Sequence, residues 1–138
     1  MKKVIIDTNA LISFVTDRNP AQQEKVARVF HNAANLRTLI CCPQNVLTEF
    51  IYVMDKVYGF ERKKIAGMTA DFLATPGIEI VHEVNFETVL NVWPGTIGDF
   101  GDAIIVSVAK TIKDGSVLTL DRSLCTALKK LNVSVLPI

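Results

Sequence analysis

The sequence is poor in the residues that build covalent or soft-metal frameworks. It holds three cysteines and two histidines in 138 residues. Cys41, Cys42 and Cys125 are odd in number, two are adjacent, and no C-x-x-C occurs, which argues against a disulfide framework. With only His31 and His82 to add, a Cys/His zinc site is disfavoured too. An excess of one charge is also missing: fifteen Lys and Arg face fourteen Asp and Glu, a formal net charge of +1. That implies no basic coat and no acidic tail, although a balanced total can conceal an uneven distribution. Long apolar runs are absent as well. Lys2 and Lys3 resemble the basic start of a signal segment, but Asp7 and Asn9 interrupt the apolar run that follows. No stretch is long enough to span a bilayer. These features point to a cytoplasmic protein with reduced thiols. What is present, 49% hydrophobic and 21% charged residues, suits a globular chain, and the length predicts one domain over residues 1–138.

Strand and helix patterns alternate along the chain. Val4–Ile6 is a β-branched run suited to a buried strand, and a helix is expected over Ala10–Val15. Pro20 suits the first position of a helix running to about Ala34. Thr38–Cys42 reads as a second strand, followed by an amphipathic helix from Pro43 to Tyr58 that Gly59 ends. A more charged helix covers Glu61–Ala74, and Ile78–Val81 is a third strand. Asn85 caps a helix through Val92. Asp99–Ile112 is apolar almost all round, so that helix is expected to be buried. Val117–Leu120 is a fourth strand, Ser123–Leu131 a helix, and Val133–Leu136 a last strand. Such alternation predicts an α/β fold: a short parallel sheet with helices on both faces.

Five carboxylates stand where this pattern concentrates function. In parallel α/β sheets, functional groups gather beyond the carboxyl ends of the strands. Asp7 follows the first strand and Asp121 follows the fourth. Glu49 lies about 40° from Val53 on its helix, at the edge of the apolar stripe, and is expected to point toward the sheet or its rim. Asp99 and Asp102 share one face at the start of the buried helix. Each has a structural alternative. Asp7 and Asp99 suit helix caps, Asp121 suits a turn, and Glu49 suits a rim residue paired with a lysine. Asp102 has the weakest alternative, because it interrupts a nearly all-apolar helix. Acids this close raise one another's pKa unless a cation compensates. All-oxygen ligands suit Mg²⁺ or Mn²⁺, which can clamp an in-line phosphoryl displacement.

The ordered set Asp7-Thr8-Asn9, Glu49 in Val46-Leu47-Thr48-Glu49-Phe50, Asp102 in Asp99-Phe100-Gly101-Asp102-Ala103, and Leu118-Thr119-Leu120-Asp121-Arg122 resembles a PIN domain. The likeness runs from residue 4 to residue 136 and is closest to the small VapC-type toxins of toxin–antitoxin pairs. It implies a three-layer α/β/α fold and a Mg²⁺- or Mn²⁺-dependent ribonuclease. Asp7, Glu49, Asp102 and Asp121 match the family's acidic quartet. Asn9, Asp99 and Thr119 fall at auxiliary positions. The expected reaction is hydrolysis of an RNA phosphodiester that leaves a 5′-phosphate. Lys2, Lys3, Arg18 and Arg122 are candidate contacts to the RNA backbone, whereas the Arg62–Lys64 run reads as a solvated helix face. Gly95, Gly98 and Gly101 shape the loop beside the site, with no phosphate-loop pattern. Homodimerisation and an antitoxin partner are implied by the resemblance alone.

Two other readings fit parts of the pattern. An inactive PIN-like module would bind protein or RNA without cleaving it. A haloacid-dehalogenase-like phosphatase also begins with a strand-end Asp, but Asn9 stands where its second acid belongs. Phe14, Phe30, Phe50, Tyr52 and Tyr58 are mostly expected in the core, with some available to an interface. If the five acids share a site, nine of fourteen remain elsewhere against fifteen bases. The near-neutral total then divides into a pocket of −5 and a body of +6, a division suited to a phosphodiester substrate.

Overall fold

In the computed structural model, which describes residues 1–138, the chain runs β1 (Lys2–Ile6), α1 (Thr8–Val15), α2 (Pro20–Ala34), β2 (Thr38–Pro43), α3 (Gln44–Lys56) and α4 (Arg62–Ala74). It continues through β3 (Ile78–Val81), α5 (Phe86–Val92), α6 (Phe100–Thr111), β4 (Gly115–Leu118) and α7 (Arg122–Lys130). The four strands form one parallel sheet in the order β3-β2-β1-β4. Helices cover both faces, giving three α/β/α layers. Val4, Ile5 and Ile6 are completely buried at its centre. Burial on both faces is why β1 reads as a continuous apolar run rather than an alternating one. Seven consecutive residues of α6, Ala103–Ala109, are buried, as an all-round apolar helix requires. No helix is long and apolar enough to cross a membrane.

Three sequence expectations are corrected. The last strand, Val133–Leu136, shrinks to a single parallel bridge between Val117 and Val135. It is held by Val117 N–H to Ser134 O at 2.8 Å and Leu136 N–H to Val117 O at 2.9 Å. Pro137 has no N–H to extend the ladder, and Asn132 turns the chain with φ of 59° just before it. The tail still covers part of the β4 edge. The fourth strand spans Gly115–Leu118 rather than Val117–Leu120, so Thr119 and Leu120 belong to the loop that leads to Asp121. The apolar stripe of α3 is also narrower than its composition suggests. Only Val46, Phe50 and Met54, one turn apart, are buried, while Ile51, Tyr52, Val57 and Tyr58 are exposed. Of the aromatic residues expected in the core, Phe30 and Phe50 are buried there, and Phe14 stacks on Phe30 with centroids 3.8 Å apart.

Cys41 and Cys42 are free thiols buried in β2. Burial, with Cys41 beside it, pushes the Cys42 thiol up to about 12, so it packs as an inert small hydrophobe. Gly77 lies close against the backbone at the end of α2. Its φ is +79°, its carbonyl accepts from Ile40 N–H at 2.7 Å, and a Cβ there would land on the Ala33 carbonyl at the end of α2. Gly77→Ala combines left-handed strain with an overpacked contact, and a loss of about 3 kcal/mol is expected. Urea unfolding of wild type and variant measures it, and a change under about 0.5 kcal/mol would contradict the packing described.

Candidate functional site

The strand order creates the crevice. The chain builds outward from β1 to β2 to β3, then returns to the other side of β1 to add β4. The reversal lies between β1 and β4, and a parallel sheet opens there past the carboxyl ends of its strands. Asp7 follows β1 directly, and its N–H continues the pairing to Leu118 O at 3.3 Å. Asp121 closes the short loop after β4. These two acids, 114 positions apart in sequence, thus meet at one edge.

Three of the five acids reach the crevice as helix N-caps. Asp7 Oδ1 accepts from Ala10 N–H at 2.9 Å and starts α1. Asp99 Oδ1 accepts from Asp102 N–H at 2.9 Å and starts α6. Asp121 Oδ1 accepts from Leu124 N–H at 3.1 Å and starts α7. Capping uses one carboxylate oxygen and leaves the other to face outward. It also sets three positive helix ends around the acids, a partial offset to their charge. Asp102, in the first turn of α6, completes that side.

Asp7, Asn9, Glu49, Asp99, Asp102 and Asp121 all line one cavity of about 170 Å³. Of the two positions expected for Glu49, the sheet or its rim, the structure gives the rim. The acid is exposed at the cavity mouth, because α3 packs through Val46, Phe50 and Met54, and Glu49 lies about 100° from Phe50. Its Oε2 accepts from the Thr8 hydroxyl at 3.0 Å, and no lysine pairs with it. Thr119, buried behind the acids, hydrogen-bonds Asp7 through its side chain and accepts from Asp121 N–H at 3.1 Å. Arg18 lies beside the cavity, donating to Asn9 O at 3.2 Å, and Arg122 directly follows Asp121. Lys2 and Lys3 do not join them, since they begin β1 at the opposite edge of the sheet. Arg62 pairs with Asp55 at 3.4 Å and Lys64 stands 4.7 Å over the Phe60 ring, both away from the cavity.

Thr8, Asn45, Val46, Gly101 and Ile105 complete the lining, and of these Asn45 carries no sequence signal for a site residue. Asn45 precedes Glu49 by one helical turn, a spacing that places both on one face. Its Oδ1 is buried with no hydrogen-bond partner. A Cβ on Gly101 would sit 3.1 Å from Asp99 Oδ1 and 3.7 Å from Glu49 Oε2, so that glycine leaves room for two acids. Gly95 and Gly98 stand in open space.

The lining contains no lysine, arginine or histidine. Burial, then the charges of Asp99, Asp7, Asp121 and Glu49, pushes the Asp102 carboxyl up to about 7. Burial also raises Asp7, against the pull of its hydrogen bonds from Thr119 and Ala10, and Asp121 and Glu49 add to the rise. Asp7 is only 4% exposed. No three of the acids converge closely enough to form a ready-made cation cage. The acids line an open cleft instead. The donor set of carboxylates plus an unmet amide oxygen fits a hard, oxygen-seeking divalent cation.

The PIN domain family model matches residues 4–129. Among solved structures, the chain is similar to VapBC2 from Rickettsia felis, whose crystal structure is of that assembly bound to a DNA fragment from its promoter. The match has 15% identity and a TM-score of 0.66, and covers 98% of this chain and 97% of that one. It is also similar to the PIN domain endonuclease Utp24, at 19% identity and a TM-score of 0.53, over 94% of this chain and 78% of that one. At these identities the structural likeness concerns the fold. No curated protein matches the chain.

The raised carboxyls predict a pH dependence. Between its ordinary value of 3.8 and about 7, Asp102 holds a proton in the folded chain that the unfolded chain has released. Folding stability therefore falls as pH rises through this window and stays low above it. In a chelator, melting temperature should drop from about pH 5 to about pH 8. Asp102→Asn should flatten the profile and melt higher than wild type at the upper end. A wild-type profile as flat as the variant's would contradict this electrostatic account.

Proposed function

The chain belongs to the PIN domain family, and on that premise we propose that residues 1–138 act as a metal-dependent endoribonuclease, the toxin of a type II toxin–antitoxin pair in the cytoplasm. One observation carries the reading: carboxylates from four separate segments share a cleft whose lining has no cationic side chain. Asp7, Glu49, Asp102 and Asp121 would hold a Mg²⁺ or Mn²⁺ ion. Such an ion polarises a phosphoryl oxygen and activates water at neutral pH.

The chain's own groups supply position and selectivity. The Ala10 N–H and the Thr119 side chain hold the Asp7 carboxylate in one orientation. Thr8 fixes Glu49 at the mouth. Asp99 and Asn9 act as auxiliary polar groups on the same lining. Arg18 and Arg122 flank the acids and offer charge to the phosphates on either side of the scissile bond. The body charge of +6 draws a polyanion toward a cleft that is acidic until a cation enters.

Partners follow from the same reading. The fold shared with VapBC2 over nearly the whole of both chains supports the toxin assignment. A groove between α3 and α4, about 500 Å³ and lined by Ile51, Ile65, Ala66, Ala70 and Leu73 together with the Asp55–Arg62 pair, leaves apolar surface in water. Tyr52, Val57 and Tyr58 are exposed as well. Apolar surface of this kind suits an antitoxin segment or the second chain of a homodimer.

Asp7→Asn tests the proposal cleanly, because asparagine caps a helix as well as aspartate does. Circular dichroism should be retained and melting temperature should not fall, while Mg²⁺- or Mn²⁺-dependent RNA cleavage falls at least about 100-fold. Mapping of the RNA ends should find 5′-phosphates in wild type only. Cleavage retained in the variant would remove the acids from the reaction. A wild type that binds neither ion in calorimetry would instead favour an inactive binding module.

A further inference from the structure

A second cavity, of about 230 Å³, opens at the edge of the sheet opposite the acids. Lys2 starts β1 and is the register partner of Thr38, which starts β2. Both line the cavity together with Lys25, Arg28 and Asn32. Those three stand at i, i+3 and i+7 of α2, so one face of that helix looks onto the strand starts. Val4, on the same strand face as Lys2, contributes an apolar wall. No Asp or Glu side chain lines the cavity, whose remaining wall is Val29 and the tail residues Leu136, Pro137 and Ile138. Arg28 pairs with Glu24 on its own helix at 3.3 Å, but both side chains are more than 70% exposed. A pair so solvated holds its partners weakly and yields to a better anion. Lys2 and Lys25 take part in no ion pair.

We propose that this cavity is a phosphate-binding subsite that holds the backbone of a nucleic acid at a distance from the acidic cleft. Three cations reach it from two directions, a strand start and a helix face, which suits a tetrahedral anion better than a planar carboxylate. Asn32 and Thr38 add neutral donors, and Thr38 is fixed in place at 5% exposure. The concave shape and apolar wall concentrate the positive field where it is open to water. The cavity is large enough to admit a phosphate group. β1 separates Lys2 from Asp7 by five residues, about 16 Å of strand. The subsite therefore adds affinity for a distal phosphate and takes no part in bond cleavage. The nucleic-acid source rests on the ribonuclease reading, whereas the anion site itself stands on its own side chains.

The test titrates the full chain with inorganic phosphate and follows amide resonances. Saturable shifts are expected at Lys2, Asn32 and Thr38, with affinity reduced at least tenfold in K25A/R28A. Both substitutions are at exposed helix positions, so melting should move by no more than about 2 °C. The second arm measures binding of an unstructured single-stranded RNA to Asp7→Asn with and without K25A/R28A. Affinity should fall several-fold, and the salt slope should drop by about two. Absence of a saturable phosphate shift overturns the site. Phosphate binding with unchanged RNA affinity overturns the nucleic-acid source. Polyglutamate binding more tightly than phosphate overturns the phosphate assignment. Phosphate and RNA binding intact in a wild type that cleaves no RNA would strike the ribonuclease reading alone.

Discussion

The carboxyl edge of this sheet depends on one repeated interaction, an aspartate oxygen accepting the N–H of a residue three further on. Asp7, Asp99 and Asp121 make it at the starts of α1, α6 and α7. Each contact contributes about 1 kcal/mol to its helix. The greater consequence is geometric. A cap ties a side chain to the backbone of the element it starts, so three carboxylates are aimed by three helices rather than by flexible loops. The helices in turn are aimed by the sheet, whose reversal between β1 and β4 brings their starts together. Capping engages one oxygen of each group, so the structural reading of these acids does not exclude a chemical one.

That arrangement carries an electrostatic cost. Asp102 experiences all four of the other acids, and its carboxyl rises to about 7. Three positive helix ends and hydrogen bonds from Thr8, Thr119 and Ala10 offset part of the repulsion. No cationic side chain finishes the task. Stability is thus lost to an acidic cleft that the protein's own side chains leave uncompensated.

The basic residues divide differently from the acids. Arg18 and Arg122 flank the cleft, while Lys2, Lys25 and Arg28 collect some 16 Å away at the amino edge. A parallel sheet makes such polarity natural, since every strand starts at one edge and ends at the other. Asp7 and Lys2 stand at opposite edges of the sheet because they sit at opposite ends of the same strand. The α3–α4 face carries one acid and one base, Asp55 and Arg62, paired with each other, and its exposed apolar residues mark a third surface.

Much of this was legible in the sequence, where the signal was local. The apolar run Val4–Ile6, the all-round apolar α6, the cap at Asn85 and the stop at Gly59 follow from backbone and burial rules that act over a few residues. The acids stood out because they interrupt those patterns. What the sequence alone determined was therefore the order of elements and the junctions at which polar groups sit. Only the tertiary structure decided the rest. Sheet order brought Asp7 beside Asp121. Helix packing turned Glu49 to the mouth and left Tyr52 and Tyr58 in water. The tail settled as a bridge rather than a strand, and Lys2 came beside Lys25 and Arg28. These outcomes depend on contacts between segments far apart in the chain, where burial of the whole overrides the preference of any part.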